Sequence, residues 1–214
     1  MYMPKQFDAK DRTLALELMR GHPFASLVSN DDEGLPYVTH LPLVADERGE
    51  QDLVLLGHCA KPNAHWRYLQ SRPRAVVCFL GPHAYLSPSV YPDLARVPTW
   101  NYLAVHCTVE ARLIEDAAGK DTLLKRLIGQ HEPAYARQWR DLGEDFQHKM
   151  LNGIVAFELH VVSLQCKLKL NQHRPEAHAA MYARYSEGSP DEQALSVWMQ
   201  RLGMAPAGQV REAS

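Results

Sequence analysis

Residues 81–102, with the sequence GPHAYLSPSVYPDLARVPTWNY, are rich in aromatic and imidazole rings and in proline. Prolines at positions 82, 88, 92 and 98 exclude a long helix, because proline lacks an amide donor and clashes with the preceding turn. A disordered linker is also excluded, since such segments lack aromatic residues. We therefore expect an ordered loop between strands. Its rings, hydroxyls and amides suit a planar heteroaromatic ligand, although a packed aromatic loop without a ligand remains the alternative.

The composition of the chain limits the classes of protein it can be. With 214 residues, 46% of them hydrophobic, it is predicted to form one domain over 1–205 with a loose tail at 206–214. The formal charge of -2 lacks the basic surplus typical of a protein bound to the DNA backbone, though a local basic patch stays open.

Several other kinds of site are disfavoured. Four widely spaced cysteines without a Cys-x-x-Cys pair argue against a zinc site or a disulfide framework. No close histidine spacing predicts a metal, and no G-x-S-x-G motif predicts a hydrolase, so we assign no metal ligand and no catalytic residue. The N-terminus has no apolar signal core and no run of about 18 apolar residues exists, so a cytoplasmic location is expected.

Hydrophobic periodicity predicts an antiparallel sheet decorated by helices. The first three strands follow one another directly, which disfavours a doubly wound α/β fold, and G-x-G-x-x-G and P-loop motifs are absent. We predict an α+β fold: a small closed or half-open β-barrel with peripheral and C-terminal helices. The predicted strands are 24–29, 37–44, 52–58, 74–80, 102–114 and 154–163, with 164–170 as an optional extension of the last. The predicted helices are 11–20, 62–70, 121–129, 136–151, 175–186 and 191–203.

Two motifs near the second and third strands suggest a ligand site. Residues 39–42, Thr-His-Leu-Pro, end a strand whose proline implies a sheet edge or a bulge; the alternative is an ordinary solvent-facing strand. In residues 57–66, a strand ends near His58 and a helix is predicted to begin at Pro62. Helix N-termini attract phosphate and Lys61 adds a full charge, so a phosphate cradle is one interpretation. Helix capping with an exposed lysine is the other.

Two further segments carry polar and ring side chains. Residues 97–102, Val-Pro-Thr-Trp-Asn-Tyr, place rings near the start of a long predicted strand. Residues 167–174, Lys-Leu-Lys-Leu-Asn-Gln-His-Arg, are basic and follow the last strand. The second segment is either a solvated strand exit or a contact for phosphate or nucleic acid.

Together these motifs resemble the PaiB family of FMN-binding negative transcriptional regulators, over nearly the whole chain. The resemblance rests on the order of short blocks along the sequence. The blocks are Met1-Tyr2-Met3-Pro4 with Phe7, Pro23-Phe24-Ala25, Thr39-His40-Leu41-Pro42-Leu43, Gly57-His58 with Asn63 and Trp66, Gly81-Pro82-His83-Ala84-Tyr85, Val97-Pro98-Thr99-Trp100-Asn101-Tyr102 with Val105-His106, and Lys169-Leu170 with Gln172 and Arg174.

The resemblance implies a flavin-binding split barrel that forms a homodimer, with FMN in clefts at the subunit interface, and a role in repressing genes of sporulation and secreted proteases. In that arrangement Lys61 and Asn63, with His58, would hold the phosphate. Residues 39–42 would follow the ribityl chain and ring edge, and 99–102 of the other subunit would close the ring site. The candidate cofactor-binding residues are Thr39, His40, Leu41, Pro42, His58, Lys61, Asn63, Trp66, Thr99, Trp100, Asn101 and Tyr102.

Other functions remain open on the sequence alone. Split barrels also host flavin reductases and pyridoxamine-oxidase-like enzymes, so an FMN-dependent oxidoreductase is the principal alternative. A sensor without turnover and a scaffold that has lost its cofactor are two more. No helix-turn-helix is evident, so regulation would act through weak, salt-dependent DNA binding or through a regulatory partner protein.

Overall fold

The computed structural model describes residues 1–49, 52–93 and 95–205; the predicted tail at 206–214 lies outside them. The strands of the described chain are β1 Phe24–Asn30, β2 Pro36–Pro42, β3 Val44–Glu47, β4 Leu53–Ala60, β5 Arg74–Leu86, β6 Thr99–Ile114 and β7 Ile154–Lys169. The α-helices are α1 Arg12–Gly21, α2 His65–Ser71, α3 Ala117–His131, α4 Tyr135–Asp141, α5 Glu144–Asn152, α6 His178–Ser186 and α7 Pro190–Arg201. Short 3₁₀ helices cover Lys5–Phe7, Pro88–Val90 and Pro175–Ala177.

The strands form one sheet with the order β2-β1-β5-β6-β7-β4-β3. β1 pairs antiparallel with β2 and β5, and β4 pairs antiparallel with β3 and β7. The β1–β2 hairpin is closed by a tight turn in which the Asp31 carboxylate accepts the backbone amides of Glu33 and Leu35, and Gly34 adopts a φ of +82°. The predicted antiparallel arrangement is therefore confirmed.

The second predicted strand, 37–44, is wrong as a single element. It breaks at Leu43, whose amide donates to the Pro23 carbonyl at 2.9 Å, and it contributes to β2 and β3 at opposite ends of the strand order. The first three predicted strands, which follow one another directly in the sequence, are therefore not neighbours in one continuous run of the sheet. The Leu41 and Leu43 side chains nevertheless lie against Gly57 of β4, where a Cβ would lie 3.3 Å from Leu41 Cδ1. This close approach, which glycine permits, brings β2 near β4.

The aromatic segment is more regular than the proline content suggested. Residues 81–86 continue β5 and 99–102 begin β6, so the connection between the two strands is confined to 87–98. Pro82 is buried within β5, and alternating burial continues along that strand to Leu86. The prediction of a loop over all of 81–102 is therefore wrong at both ends, because side-chain packing outweighed the missing amide donor.

Two predicted helix boundaries also differ. The helix predicted at 62–70 begins at His65, because the Asn63 side chain accepts the His65 amide at 3.0 Å and ends the preceding turn. The single helix predicted at 136–151 is two helices, α4 and α5, since Leu142 between them is extended. The other predicted strands and helices are present, with shifted ends.

The chain divides into two compact units, which we describe separately. Unit 1 comprises Met1–Leu18, Leu80–Val105 and the chain from Gln165, and unit 2 comprises Met19–Phe79 and His106–Leu164. In unit 2, apolar residues of α3 pack on those of β4 and β7: Val54, Leu56, Leu123, Leu127 and Ala156. In unit 1, α1 packs closely on β5, since a Cβ on Gly81 would lie 2.5 Å from Leu18. The expectation of a single domain over 1–205 stays a prediction.

Candidate functional site

In unit 2, a hydrogen-bonded cluster joins the first half of β2 to the turn before α2. Asn63 Nδ2 donates to Thr39 Oγ1 at 3.2 Å, and Asn63 Oδ1 accepts from the Tyr37 hydroxyl at 3.3 Å and from the His65 amide. Thr39 Oγ1 also lies 2.8 Å from His65 Nδ1. The structure therefore brings together Thr39 and Asn63, two of the predicted site residues, and uses their polar atoms on each other.

His65 is the centre of this cluster, and the sequence interpretation missed it. The imidazole is 1% exposed, and its Nε2 lies 3.0 Å from the hydroxyl of buried Ser29. Burial lowers the pKa of His65 to about 4, so the ring is neutral at physiological pH. The sequence did offer a signal for His65, because it lies between Asn63 and Trp66 in the motif at residues 57–66. The neutral imidazole forms a hydrogen bond through each of its ring nitrogens, and these two bonds hold β1, β2 and α2 together.

The rest of residues 39–42 divides between surface and core. The exposed His40 ring lies 3.0 Å from the Ser26 hydroxyl and 6.3 Å from the Phe24 ring. Leu41 is a core side chain, 3% exposed, and Pro42 ends β2. Leu41 therefore has only its backbone to offer a ligand.

Around the start of α2, an indole contacts one cation and the backbone of a second basic residue. The Trp66 ring nitrogen donates to the Lys61 carbonyl at 3.0 Å, and the Arg67 guanidinium lies 5.1 Å above the Trp66 ring. The exposed ammonium of Lys61 forms no ion pair with any residue that the structure describes. Since α2 begins at His65, Pro62 is not its first residue, and the predicted helix N-terminus at Pro62 is wrong.

His58 lies at the β4 end of the same region. Its Nδ1 is buried and has no hydrogen-bond partner among the described protein groups. Burial lowers the pKa of His58, so the ring is neutral at physiological pH. A buried ring nitrogen without a partner is costly, and a ligand that offered it a hydrogen bond would remove that cost.

In unit 1, the remaining four predicted residues open β6 around Lys169. The Lys169 ammonium donates to Thr99 Oγ1 at 2.6 Å and to the Trp100 carbonyl at 2.7 Å. The Trp100 indole is 52% exposed; it stacks on His83 with ring centres 6.0 Å apart and meets the Tyr85 ring edge-on at 6.4 Å. These contacts hold a flat apolar ring at the surface.

Asn101 and Tyr102 differ from Trp100 in exposure and contacts. Asn101 is fully buried; its Nδ2 donates to the Tyr185 hydroxyl at 3.0 Å and lies 3.2 Å from Met181 Sδ. Asn101 Oδ1 is buried with no partner among the described protein groups. The Tyr102 ring lies 5.1 Å from the Lys167 ammonium and 5.8 Å from that of Lys169.

The polar side chains around His65, Lys61 and Lys169 form clusters in which we recognise no catalytic group among the described residues. Within the described ranges, no group of three or more metal-ligating side chains exists. Across the same residues, no helix has the length and apolar character to cross a bilayer. What the clusters offer is hydrogen-bond donors, cations and one exposed indole, which are groups that bind ligands.

Comparison with known proteins identifies a family. Residues 1–163 match the family described as "Putative FMN-binding domain". The chain is 33% identical over 181 residues to "Protease synthase and sporulation protein PAI 2" of Bacillus subtilis (strain 168), which covers 82% of this chain and 84% of that protein.

Two solved structures are similar in fold. The flavocytochrome Anf3 from Azotobacter vinelandii has a TM-score of 0.62 at 15% identity, covering 79% of this chain and 73% of that one. The FAD and heme binding protein from Mycobacterium smegmatis has a TM-score of 0.57 at 18% identity, covering 76% of this chain and 73% of that one. These likenesses, with the antiparallel sheet and surrounding helices, confirm the predicted α+β split barrel.

Proposed function

Because the chain belongs to the PaiB family of FMN-binding proteins, we propose that it binds FMN as a homodimer and acts as a negative regulator of gene expression. FMN is the cofactor of this family. The relative from Bacillus subtilis carries protease synthesis and sporulation in its name, which supports regulation as the role. A cytoplasmic location remains a prediction from the sequence.

One observation carries the assignment of the phosphate site. His58 Nδ1 is buried without a partner, and three residues later the Lys61 ammonium is exposed without an acidic partner in the described chain. A phosphate accepts hydrogen bonds and carries negative charge, so it matches a neutral imidazole donor beside a cation. The residues present therefore fit the phosphate of FMN. Arg67, held over the Trp66 ring, adds positive charge to the same region.

The hydrogen-bonded cluster fixes the neighbouring strand for the rest of the ligand. Thr39 and Asn63 are hydrogen-bonded to each other and to His65, so they hold the middle of β2 in one conformation. In the proposal, the backbone of residues 39–42 and the exposed His40 side chain contact the ribityl chain and ring edge. A preorganised strand loses little entropy when a ligand binds.

The ring site would be completed by a second copy of the chain. Trp100 is a large exposed aromatic ring held by His83 and Tyr85, and such a ring suits stacking on a flat heteroaromatic group. Exposed apolar side chains also lie on the β1, β2 and β5 strands of unit 2: Phe24, Val38 and Val76. Such residues are typical of a surface that a partner covers.

When bound, FMN supplies redox chemistry or a redox-sensitive colour to the protein. The formal charge of -2 argues against tight direct contact with DNA. We expect any binding of the pure protein to DNA to be weak and to fall steeply with salt, so that regulation acts mainly through a partner.

The substitution Lys61→Ala tests the phosphate assignment. Loss of one charge-assisted hydrogen bond is worth about 1.5 to 3 kcal/mol, so FMN affinity should fall roughly tenfold or more, while riboflavin affinity stays unchanged. Quenching of flavin fluorescence measures both affinities. Lys10→Ala, at another exposed lysine, is the matched control and should change neither. Equal weakening of both flavins would remove Lys61 from the phosphate role.

A flavin reductase or pyridoxamine-oxidase-like enzyme is the second candidate. It is favoured by a cleft of about 420 Å³ in unit 1, lined by Lys169 and two arginines, because a flavoenzyme needs space for a molecule that exchanges electrons with the flavin. Oxidation of reduced nicotinamide, followed at 340 nm with FMN present, or peroxide release from an amine would decide for the enzyme. Absence of both leaves the regulator as the function.

A further inference from the structure

Unit 1 contains a cleft of about 420 Å³ that neither the family description nor the similar proteins explain. Its walls include the start of β6, the end of β7, and the connection before β6. The residues that matter for its chemistry are Arg96, Thr99, Asn101, Lys169, Asn171 and Arg174. Its volume lies in the range of sites for small molecules, toward the small end.

The cleft is positively charged. Arg96, Lys169 and Arg174 line it, and no carboxylate does so among the described residues. Lys169 has no ion pair in that part of the chain; its two hydrogen bonds go to the neutral oxygens of Thr99 and Trp100. Burial, and then the nearby charge of Lys167, lower the pKa of Lys169. An anion in the cleft would offset both effects.

The two arginines are only partly neutralised. Arg96 lies 2.7 Å from Asp93 and 3.4 Å from Glu176, and its guanidinium covers the Tyr91 ring at 5.0 Å. Arg174 lies 3.9 Å from the same Glu176 oxygen, at the limit of an ion pair. Most donors of the Arg174 guanidinium are therefore available to another acceptor, and a planar guanidinium binds carboxylate or phosphate through two parallel hydrogen bonds.

A buried amide on the cleft wall adds a second, independent indication. Asn171 is 5% exposed, and its Nδ2, a donor, has no hydrogen-bond partner among the described protein groups. The unpaired Asn101 Oδ1 is an acceptor and does not contribute to anion binding. Asn171 also adopts a φ of +65°, and its carbonyl lies 3.2 Å from His178 Nε2. A buried unpaired amide costs about 1 to 3 kcal/mol, and this cost falls when a ligand accepts its N–H.

Ring side chains make the remaining wall of the cleft aromatic. Phe7 and His173 meet edge-on with centres 5.5 Å apart, and Tyr91 lies under Arg96. Burial lowers the pKa of His173, so this ring adds aromatic surface rather than charge at neutral pH. Such a wall suits the apolar part of a ligand whose other end is anionic.

We propose that this cleft binds a small aromatic anion, whose carboxylate or phosphate group is held by Lys169, Arg174 and the amide of Asn171. The residues that would hold the anion, Lys169, Arg174 and Asn171, are not among the predicted flavin-binding residues, whereas Thr99 and Asn101 of the same wall are. The titration with and without FMN therefore separates the two sites. Carboxylate and phosphate share the same recognition chemistry here, and the choice of probe separates them.

The experiment titrates the full-length protein with benzoate and with phenyl phosphate by isothermal calorimetry, before and after saturation with FMN. We expect at least one probe to bind in both states. Lys169→Met, which keeps the apolar stem, should weaken that probe at least tenfold, and Arg174→Gln should weaken it severalfold. Arg184→Gln, at an exposed arginine of α6, is the matched control and should leave binding unchanged.

The outcomes separate this proposal from the flavin assignment. Lys61→Ala should lower FMN affinity and leave the probe unaffected. If neither probe binds, or if both cleft variants bind like the unchanged protein, the inference is wrong. It is also wrong if FMN displaces the probe and the cleft variants lose FMN in parallel, since the cleft would then belong to the flavin site. Should Lys169→Met fail to fold, Arg174→Gln carries the test.

Discussion

The two polar regions of this protein differ in how completely they satisfy their own hydrogen bonds. In unit 2, His65, Thr39 and Asn63 use nearly all of their polar atoms on one another and on Ser29 and Tyr37. In unit 1, the cleft around Lys169 leaves buried amide atoms of Asn101 and Asn171 without partners among the described residues. The first region stabilises the fold, and the second leaves one unpaired N–H group, on Asn171, and one unpaired carbonyl oxygen, on Asn101. The same residue types thus serve structure or binding according to their partners.

The largest effect on stability is expected at the hydrogen-bonded cluster around His65. His65→Ala removes two buried hydrogen bonds and leaves a cavity beside Ser29 and Thr39, so it should lower the free energy of unfolding by about 3 kcal/mol. Urea denaturation measures the change. His40→Ala, whose partner Ser26 can hydrogen-bond to water instead, is the control and should cost less than about 0.5 kcal/mol. Similar losses of stability for the two variants would mean that the buried cluster around His65 does not stabilise the fold more than an exposed hydrogen bond does.

The pH dependence of stability should show the same cluster. The pKa of His65 is about 4 in the folded protein and near 6.5 when unfolded, so the unfolded chain binds more protons between these values. Its contribution is complete above about pH 6.5 and is lost as pH falls toward 4. Between pH 7 and pH 5 this loss should be about 2 kcal/mol.

Comparison with His65→Gln isolates that contribution. Lowered pKa values of His58 and His173 act in the same direction, and they remain in the variant. Denaturation at pH 7 and pH 5 should therefore show a smaller loss for His65→Gln than for the unchanged protein. Equal losses would mean that His65 is not buried as a neutral ring.

A smaller effect is expected in unit 1. Burial raises the pKa of Tyr185 to about 12, so its hydroxyl stays protonated and accepts from Asn101 Nδ2. Tyr185→Phe should cost about 1 to 2 kcal/mol, because the bond from Asn101 Nδ2 and the long bond to the Tyr85 carbonyl are lost while the shape is kept. Tyr2→Phe, at an 84% exposed ring, is the control. If Tyr185→Phe lost as much stability as His65→Ala, the polar groups of unit 1 would stabilise the fold as strongly as those of unit 2.

The candidate site was only partly predictable. The motifs pointed to Lys61, Asn63 and Trp66, which lie close in the chain, and Trp66 contacts Lys61 locally. His65 was missed because its importance comes from Ser29 and Thr39, partners 36 and 26 residues away. Asn101 was predicted from its motif, but its burial against Met181 and Tyr185, 80 and 84 residues later, was not visible in the local sequence.

Local sequence determined most of the strands and the family, because alternation and short motifs act over a few residues. Tertiary structure alone decided the order of the strands, the break at Leu43 and the continuation of β5 through Pro82. It also decided which polar atoms would be satisfied. These outcomes depend on packing and hydrogen bonds between residues far apart in the chain, and no local pattern records such contacts.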